Sequence, residues 1–304
     1  MAPRSRRALL GYGLAGVAAL AAAGVGGADL ISRGVLPGKG ELDAIDGACS
    51  VAAPDLASYA PPGPQVSGTF YSRARNRTVG YTIGYPPRHR AGSSLPLVIM
   101  LHGYGGNHAD ALSGLSPAQA VALRVGAAPL PPMALVTVDG GDGYWNPHPG
   151  DNPMAMVIDE LIPFCQAAGL GRAAQGIGTM GISMGGYGAL LLGEKYPALI
   201  RAVAAISPAV WTTYGQARSA NAGAYASAAD FTADDVVTHT AALRHTPVRV
   251  ASGNDDPFHP GVAALAGALP RGAEVVFGPG CHTGPIFVAQ EPPSLAFLAR
   301  HLGA

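Results

Sequence analysis

Ser183, Asp256 and His282 have the types, order and surroundings that nucleophilic chemistry needs. Ser183 stands in Gly-Ile-Ser-Met-Gly (181–185), after the apolar run Ile177–Ile182 and before a helix-compatible run from Tyr187 to Lys195. Gly-x-Ser-x-Gly between a strand and a helix predicts a sharp elbow that lifts the serine hydroxyl above a sheet. Gly181 and Gly185 are expected because side chains there would collide with the turn and its neighbours. In a chain with 43 glycines the pentapeptide alone decides little. The case turns on its partners.

An acid should follow on a later loop, and a histidine on a loop after that. Residues 252–259 (Ser-Gly-Asn-Asp-Asp-Pro-Phe-His) follow a strand candidate and offer two carboxylates, while 280–284 (Gly-Cys-His-Thr-Gly) follow the last strand candidate and offer His282. Asp256 is chosen because Pro257 and Phe258, directly after it, make the loop rigid. Asp255 stays open as the alternative, and Asn-Asp-Asp-Pro is turn text in its own right. His259 lies too near the acid in sequence to supply the separate late loop. His89, His108, His148, His239, His245 and His301 read as surface or loop residues. In this scheme Ser183 attacks a carbonyl carbon and His282 takes its proton. The carboxylate fixes the imidazole tautomer.

The oxyanion needs donors of its own. His-Gly-Tyr-Gly-Gly (102–106) follows a buried strand candidate and is similar to the lipase and esterase oxyanion loop. The amides of Tyr104 and Met184 are the expected donors, Met184 because it opens a helix. His102 is expected to shape the loop, not to move protons. No phosphate-binding loop, dinucleotide fingerprint or spaced metal quartet is present, so no cofactor and no metal are expected.

These residues need a frame. Strand candidates at 66–72 and 77–85 form an opening hairpin, and further ones lie at 95–101, 133–138, 177–182, 200–207, 248–252 and 273–277. They alternate with helical stretches at 108–125 (bent or split at Pro117), 152–168, 187–196, 261–269 and 286–302, the last interrupted by Pro292 and Pro293. That alternation predicts an α/β fold, an open and mostly parallel central sheet with helices on both faces. Residues 208–246 form a polar and aromatic insertion after a sheet strand, either a small cap over the pocket or surface decoration.

Charged residues make up only 12% of the chain and cancel in sign, which excludes a nucleic-acid surface. At the N-terminus, Arg4, Arg6 and Arg7 precede an uncharged run from Ala8 to Ala28, rich in Ala and Gly. Ser-Arg-Arg-Ala-Leu-Leu (5–10) resembles a twin-arginine export signal, and the weak hydrophobicity favours export over a permanent anchor. The expected organisation is 1–28 export signal or membrane anchor, 29–65 linker, and 66–304 catalytic domain. Cys49, Cys165 and Cys281 suit one disulfide and one free thiol in an oxidising compartment. Because Cys281 abuts His282, the expected pair is Cys49 with Cys165; three reduced, buried cysteines is the alternative reading.

Taken together, the elbow, the loop after His102, the acid and the histidine resemble the Putative esterase family of α/β-hydrolases. That family includes S-formylglutathione hydrolases, feruloyl and acetyl-xylan esterases, and the antigen 85 mycolyltransferases. The resemblance runs from about Val66 to Leu302 and is carried by 181–190 with Tyr196 and Pro197, then 207–211, 253–258 and 280–282. It implies an α/β-hydrolase fold with catalytic Ser183, Asp256 and His282. Cys281 stands where relatives commonly have Gly, and Thr283-Gly284 replaces a frequent Asp-Trp, so substrate preference does not carry over. With the export signal, the chain resembles an actinobacterial cell-envelope hydrolase. The expected activity is hydrolysis of small-molecule, lipid or carbohydrate esters through an acyl-enzyme. Acyl transfer to a sugar such as trehalose, a non-catalytic envelope protein and a peptidase are the alternatives.

Overall fold

In the computed structural model, residue 49 and residues 51–303 are described. The expected export signal lies outside them, as do residues 29–48 and residue 50 of the linker. Among the described residues no helix is long and apolar enough to cross a membrane.

The strands are β1 (Gln65–Ser72), β2 (Arg77–Gly84), β3 (Leu97–Leu101), β4 (Arg124–Val125), β5 (Ala128–Pro129), β6 (Ala134–Val138), β7 (Ile177–Ile182), β8 (Ile200–Ile206), β9 (Val248–Gly253) and β10 (Glu274–Gly278). Eight of them form one sheet in the order β1-β2-β6-β3-β7-β8-β9-β10. β1 and β2 are the antiparallel hairpin, β2 also runs antiparallel to β6, and from β6 to β10 every pair is parallel. β4 and β5 make a separate small hairpin.

Parallel strands covered on both faces should be apolar at every position, and β3, β6 and β7 are buried from end to end. Alternation divides their side chains between two layers. Leu97, Ile99 and Leu101 of β3 join one core cluster, and Val98 and Met100 join the other. The first cluster holds helix α3 (Met184–Lys195), and the second holds the C-terminal helix α7 (Gly284–Leu302). Each Leu or Ile fully buried this way contributes roughly 1.5–3 kcal/mol. α3 is buried from Met184 to Glu194, as befits a helix enclosed on all sides.

Three stretches differ from the sequence expectation. Residues 108–125 do not form a long helix: only α1 (Pro117–Ala120) forms, opened by a capping box of Ser116 and Gln119. Upstream, side chains take the backbone amides that a helix would use, with Asp110 Oδ1 accepting from Asn107 N at 2.6 Å and Asn107 Oδ1 from Ala109 N at 2.7 Å. Residues 152–168 are helical, but as Pro153–Ala155, a π turn at Met156–Leu161 and Ile162–Ala167, which together we term α2. Pro163 accounts for the widening, since its ring crowds the carbonyl four residues before it. In α7, by contrast, Pro292 and Pro293 do not interrupt the helix, because Leu295, Leu298 and Leu302 anchor its second half in the core.

The insertion after β8 is a small cap-like unit: α4 (Tyr214–Ala220), α5 (Ala228–Ala233) and a 3₁₀ turn, Thr240–Leu243, followed by β9 and α6 (His259–Ala268). Thr213 and Ser227 cap the two helices with their hydroxyls. Tyr225 packs against Tyr144 and Tyr187 at 6.1 and 6.2 Å between ring centroids. The end of the linker also lies on the domain, with Arg124 N donating to Ala57 O and Tyr59 N to Ala122 O.

The cysteine pairing is corrected. Cys49 and Cys281 form the disulfide, with Cα atoms 5.2 Å apart, and Cys165 is the free, buried thiol. Cys165 lies in α2 inside the core, where burial pushes its thiol up to about 12. Proximity of Cys281 to His282 does not prevent a bridge, because the Cys281 side chain is itself fully buried.

Candidate active site

The elbow follows from close approach of backbone. A Cβ on Gly181 would lie 2.1 Å from Gly185 C and O, and one on Gly185 would lie 1.9 Å from Leu101 O of β3. Helix and strands can meet this closely only with glycine at both positions. Between them Ser183 adopts φ +57° and ψ −121°, a conformation that costs a non-glycine residue roughly 1–3 kcal/mol. The turn is tied down at both ends: Ser183 N donates to Ile206 O at 3.0 Å, and Ser183 O accepts from Ala209 N at 3.0 Å and Tyr187 N at 3.1 Å. The hydroxyl is thereby held at the carboxyl ends of the parallel strands.

His282 and Asp256 arrive on two adjoining loops at that same edge. Asn254 N donates to Gly278 O at 2.7 Å and Asp255 N to Gly280 O at 3.0 Å, so the acid loop after β9 is stitched to the histidine loop after β10. His282 Nε2 lies 2.8 Å from Ser183 Oγ, and its Nδ1 lies 2.8 Å from Asp256 Oδ2. Asp256 is fully buried, and its other oxygen accepts from Phe258 N at 2.8 Å. With a carboxylate on Nδ1, that nitrogen carries the proton and Nε2 faces the serine as an acceptor. The imidazole stands between Phe258 and Phe287 at 5.0 and 5.1 Å, and its side chain is 22% exposed. Asp255, the alternative acid, is half-buried and makes its hydrogen bond through its backbone. His259 Nδ1 is 3.2 Å from Gly253 O, and its ring meets Phe277, so it braces the acid loop from outside.

The loop after β3 completes the arrangement. His102 is fully buried, and burial lowers its pKa. Its Nε2 accepts from Gly140 N at 2.9 Å, so Nδ1 carries the proton and donates to Gly103 O at 2.7 Å. Gly106 N donates to the same carbonyl at 3.1 Å. In a trans peptide this turns the N–H of Tyr104 the opposite way. Gly105 N is taken by Asp142 Oδ1 at 2.7 Å, and His108 N by Asp139 Oδ1 at 2.9 Å. The amides of Tyr104 and Met184 have no such acceptor among the described residues. Both are free to meet developing negative charge, and the α3 N-terminus adds its dipole at Met184. The Tyr104 side chain is 64% exposed at the rim.

These groups border an open cleft of about 480 Å³. Gly103 to Gly106, Asp110 to Ser113, Ile182, Ser183, His282 and Phe287 line it. None of its lining residues comes from 208–246. The cap-like insertion instead buttresses the site from the side: Trp211 meets Phe258 edge-on at 4.7 Å between ring centroids and donates from Nε1 to Tyr144 OH at 3.0 Å. Among the described residues, no cluster of His, Cys, Asp and Glu is placed to share a metal ion.

Sequence reasoning did not reach Asp142 or Phe287, and gave Phe258 a part in stiffening the acid loop but none beside the histidine. Asp142 had a usable signal, since its Asp-Gly-Gly-Asp run follows a buried strand at the carboxyl edge. The two phenylalanines flank the acid and the histidine within a few residues, but nothing in their spacing says that they face the ring.

Residues 72–268 match the family described as Putative esterase. The chain belongs to that family. No curated protein sequence matches the chain. Among solved structures, this esterase-family chain is similar to a ferulic acid esterase, with 19% identity, TM-score 0.62, and coverage of 79% of this chain and 98% of the other. It is also similar to an S-formylglutathione hydrolase from Agrobacterium tumefaciens (17%, TM-score 0.62, 82% and 99%). A third is the fluorophosphonate-binding serine hydrolase F of Staphylococcus aureus (15%, TM-score 0.60, 78% and 99%). At these identities the likeness is one of fold, and the fold is that of an α/β-hydrolase with a cap insertion.

Proposed function

We propose that the protein is an exported serine esterase that hydrolyses carboxylic esters through an acyl-enzyme on Ser183. The observation that carries this reading is the unbroken chain from Asp256 through His282 to Ser183, both links 2.8 Å, on a glycine-enforced elbow. Ser183 Oγ adds to the ester carbonyl as His282 Nε2 takes its proton. Asp256 holds the ring and stabilises the imidazolium. The carbonyl oxygen becomes an oxyanion between the amides of Tyr104 and Met184, each such donor being worth about 2.7–4 kcal/mol in the transition state. His282 then returns the proton to the leaving alcohol, and water, activated by the same nitrogen, releases the acid.

The openness of the cleft at the exposed Tyr104 rim supports water as the acceptor. The Cys49–Cys281 bridge supports an oxidising destination, in keeping with the twin-arginine-like N-terminus. The test is turnover of p-nitrophenyl acetate and butyrate by the purified protein and by Ser183→Ala. Hydrolysis by the first and its loss in the second is the expected result. Product analysis with and without trehalose then reads the acceptor, with free acid expected in both. A protein that turns over neither ester and takes up no fluorophosphonate would overturn the reading.

A further inference from the structure

Ala111, Leu112 and Ser113 form one wall of the cleft, and Phe287 of α7 borders the same space. No helix or strand fixes this wall, which runs into Gly114 at φ +87°; Ala111 and Leu112 are buried in the second core cluster, and Gly114 N donates to Leu112 O at 2.7 Å. Its long-range hydrogen bond is made by a side chain. Glu291 Oε1 accepts from Ser113 N at 2.8 Å, across 178 positions of sequence. Glu291 stands four residues after Phe287 on α7, and residues so spaced share a helix face.

Glu291 is an expensive residue to place there. It is fully buried, and its Oε2 has no hydrogen-bond partner. Burial pushes its carboxyl up to about 7, against the opposing effect of its bonds to Ser113. A leucine would avoid the desolvation penalty of an orphan carboxyl oxygen. The neighbours of Glu291 hold it still. Arg249 Nη2 donates to Gln290 Oε1 at 2.8 Å and Nη1 to Ser294 Oγ at 2.9 Å, clamping α7 to the sheet on either side of it. The carboxyl is therefore a fixed post, and the Ser113 amide is what it holds.

We propose that Glu291 is a positioning residue for the substrate: by gripping the Ser113 amide it fixes the width of the cleft beside Ser183, and so sets which acyl chains the site prefers. The inference rests on the esterase reading of that cleft. The wall that Glu291 fixes is apolar at Ala111 and Leu112 and borders, beside Ser183, a space of about 480 Å³.

The test compares Glu291→Leu, which fills the space without an acceptor, with Glu291→Gln, which keeps one. For Glu291→Leu we expect unchanged or raised thermal stability together with a KM for p-nitrophenyl butyrate raised roughly tenfold, kcat changing less, and a flatter preference between acetate, butyrate and octanoate. Glu291→Gln should keep KM within about twofold of the parent. Hydrogen exchange at the Ser113 amide should be slow in the parent and in the Gln variant and fast in the Leu variant, a readout independent of turnover. Glu291→Met, with its more adaptable chain, takes the place of Leu if the branched side chain does not fold. Unchanged KM and unchanged Ser113 exchange in the apolar variant would overturn the proposal, as would a Gln variant that loses as much as the apolar one. A parent without any esterase activity would instead sink the esterase reading, while the exchange experiment would still report on the grip.

Discussion

The two sides of the Ser183–His282 hydrogen bond are built in different ways. On the serine side the geometry is enforced by backbone: β7, β3 and α3 approach so closely that only glycine fits at 181 and 185. On the histidine side the backbone is a loop that the Asn254 and Asp255 amides stitch to the acid loop, and cross-links between distant parts of the chain add to its position. These are the Cys49–Cys281 bridge, the Asp256 carboxylate, and Arg249 holding Gln290 and Ser294. A nucleophile built from short-range sterics is rigid by construction. A base built from side-chain ties can be loosened one tie at a time.

That contrast can be broken or sharpened by substitution. The largest effect on turnover, short of removing the serine or histidine, should come from Asp256→Asn. It leaves the shape but supplies the wrong hydrogen-bonding partner to Nδ1, and kcat should fall by about 10⁴-fold with stability little changed. Gly185→Ala attacks the serine side instead. Its Cβ meets the Leu101 carbonyl, so we expect a loss of more than about 4 kcal/mol in denaturant unfolding, with the site lost through the fold. Cys49→Ser tests the histidine side at a residue remote in sequence and bonded to the neighbour of His282. Opening a loop of 232 positions should cost about 5.5 kcal/mol in the chain-entropy account, read as a lowered Tm that matches the parent under thiol reductant. Were Cys49→Ser to leave Tm unchanged, the cross-linked account of the histidine side would fail.

The smallest expected effect lies at the far end of α3. Glu194 is buried with both carboxyl oxygens unpaired, and burial, aided by Asp235, pushes its pKa from 4.5 up to about 8. A carboxyl raised in the folded state favours folding while it is protonated. Its contribution is complete below the unfolded value of 4.5 and is lost as pH rises towards 8. By pH 7 the loss should be on the order of 3 kcal/mol. Glu194→Gln should flatten the stability profile between those limits, measured by denaturant unfolding across pH. A parent profile that is already flat there would contradict the assignment.

The same contrast explains what the sequence disclosed. The elbow was legible because its constraint is local: two glycines flank the serine, and an apolar strand and a helix flank the glycines. The mostly parallel sheet was legible for the same reason, since strands buried on both faces carry unbroken apolar runs. The 108–125 stretch, which can form a helix apart from Pro117, was misread because Asn107 and Asp110 claim the backbone amides locally. The bridge was misassigned because pairing depends on where residue 49 crosses the surface. Nothing near Cys49 in sequence records that. The tie from Glu291 to Ser113 is equally long in range, and in the sequence Glu291 is one more polar residue in a helix.

The most direct test of the account is intact-mass analysis after exposure to a fluorophosphonate, followed by peptide mapping. The account predicts a single adduct on Ser183 in the parent, no adduct in Ser183→Ala, and much slower labelling in Asp256→Asn. A parent that stays unlabelled while folded, or a Ser183→Ala variant that labels as fast as the parent, would contradict it.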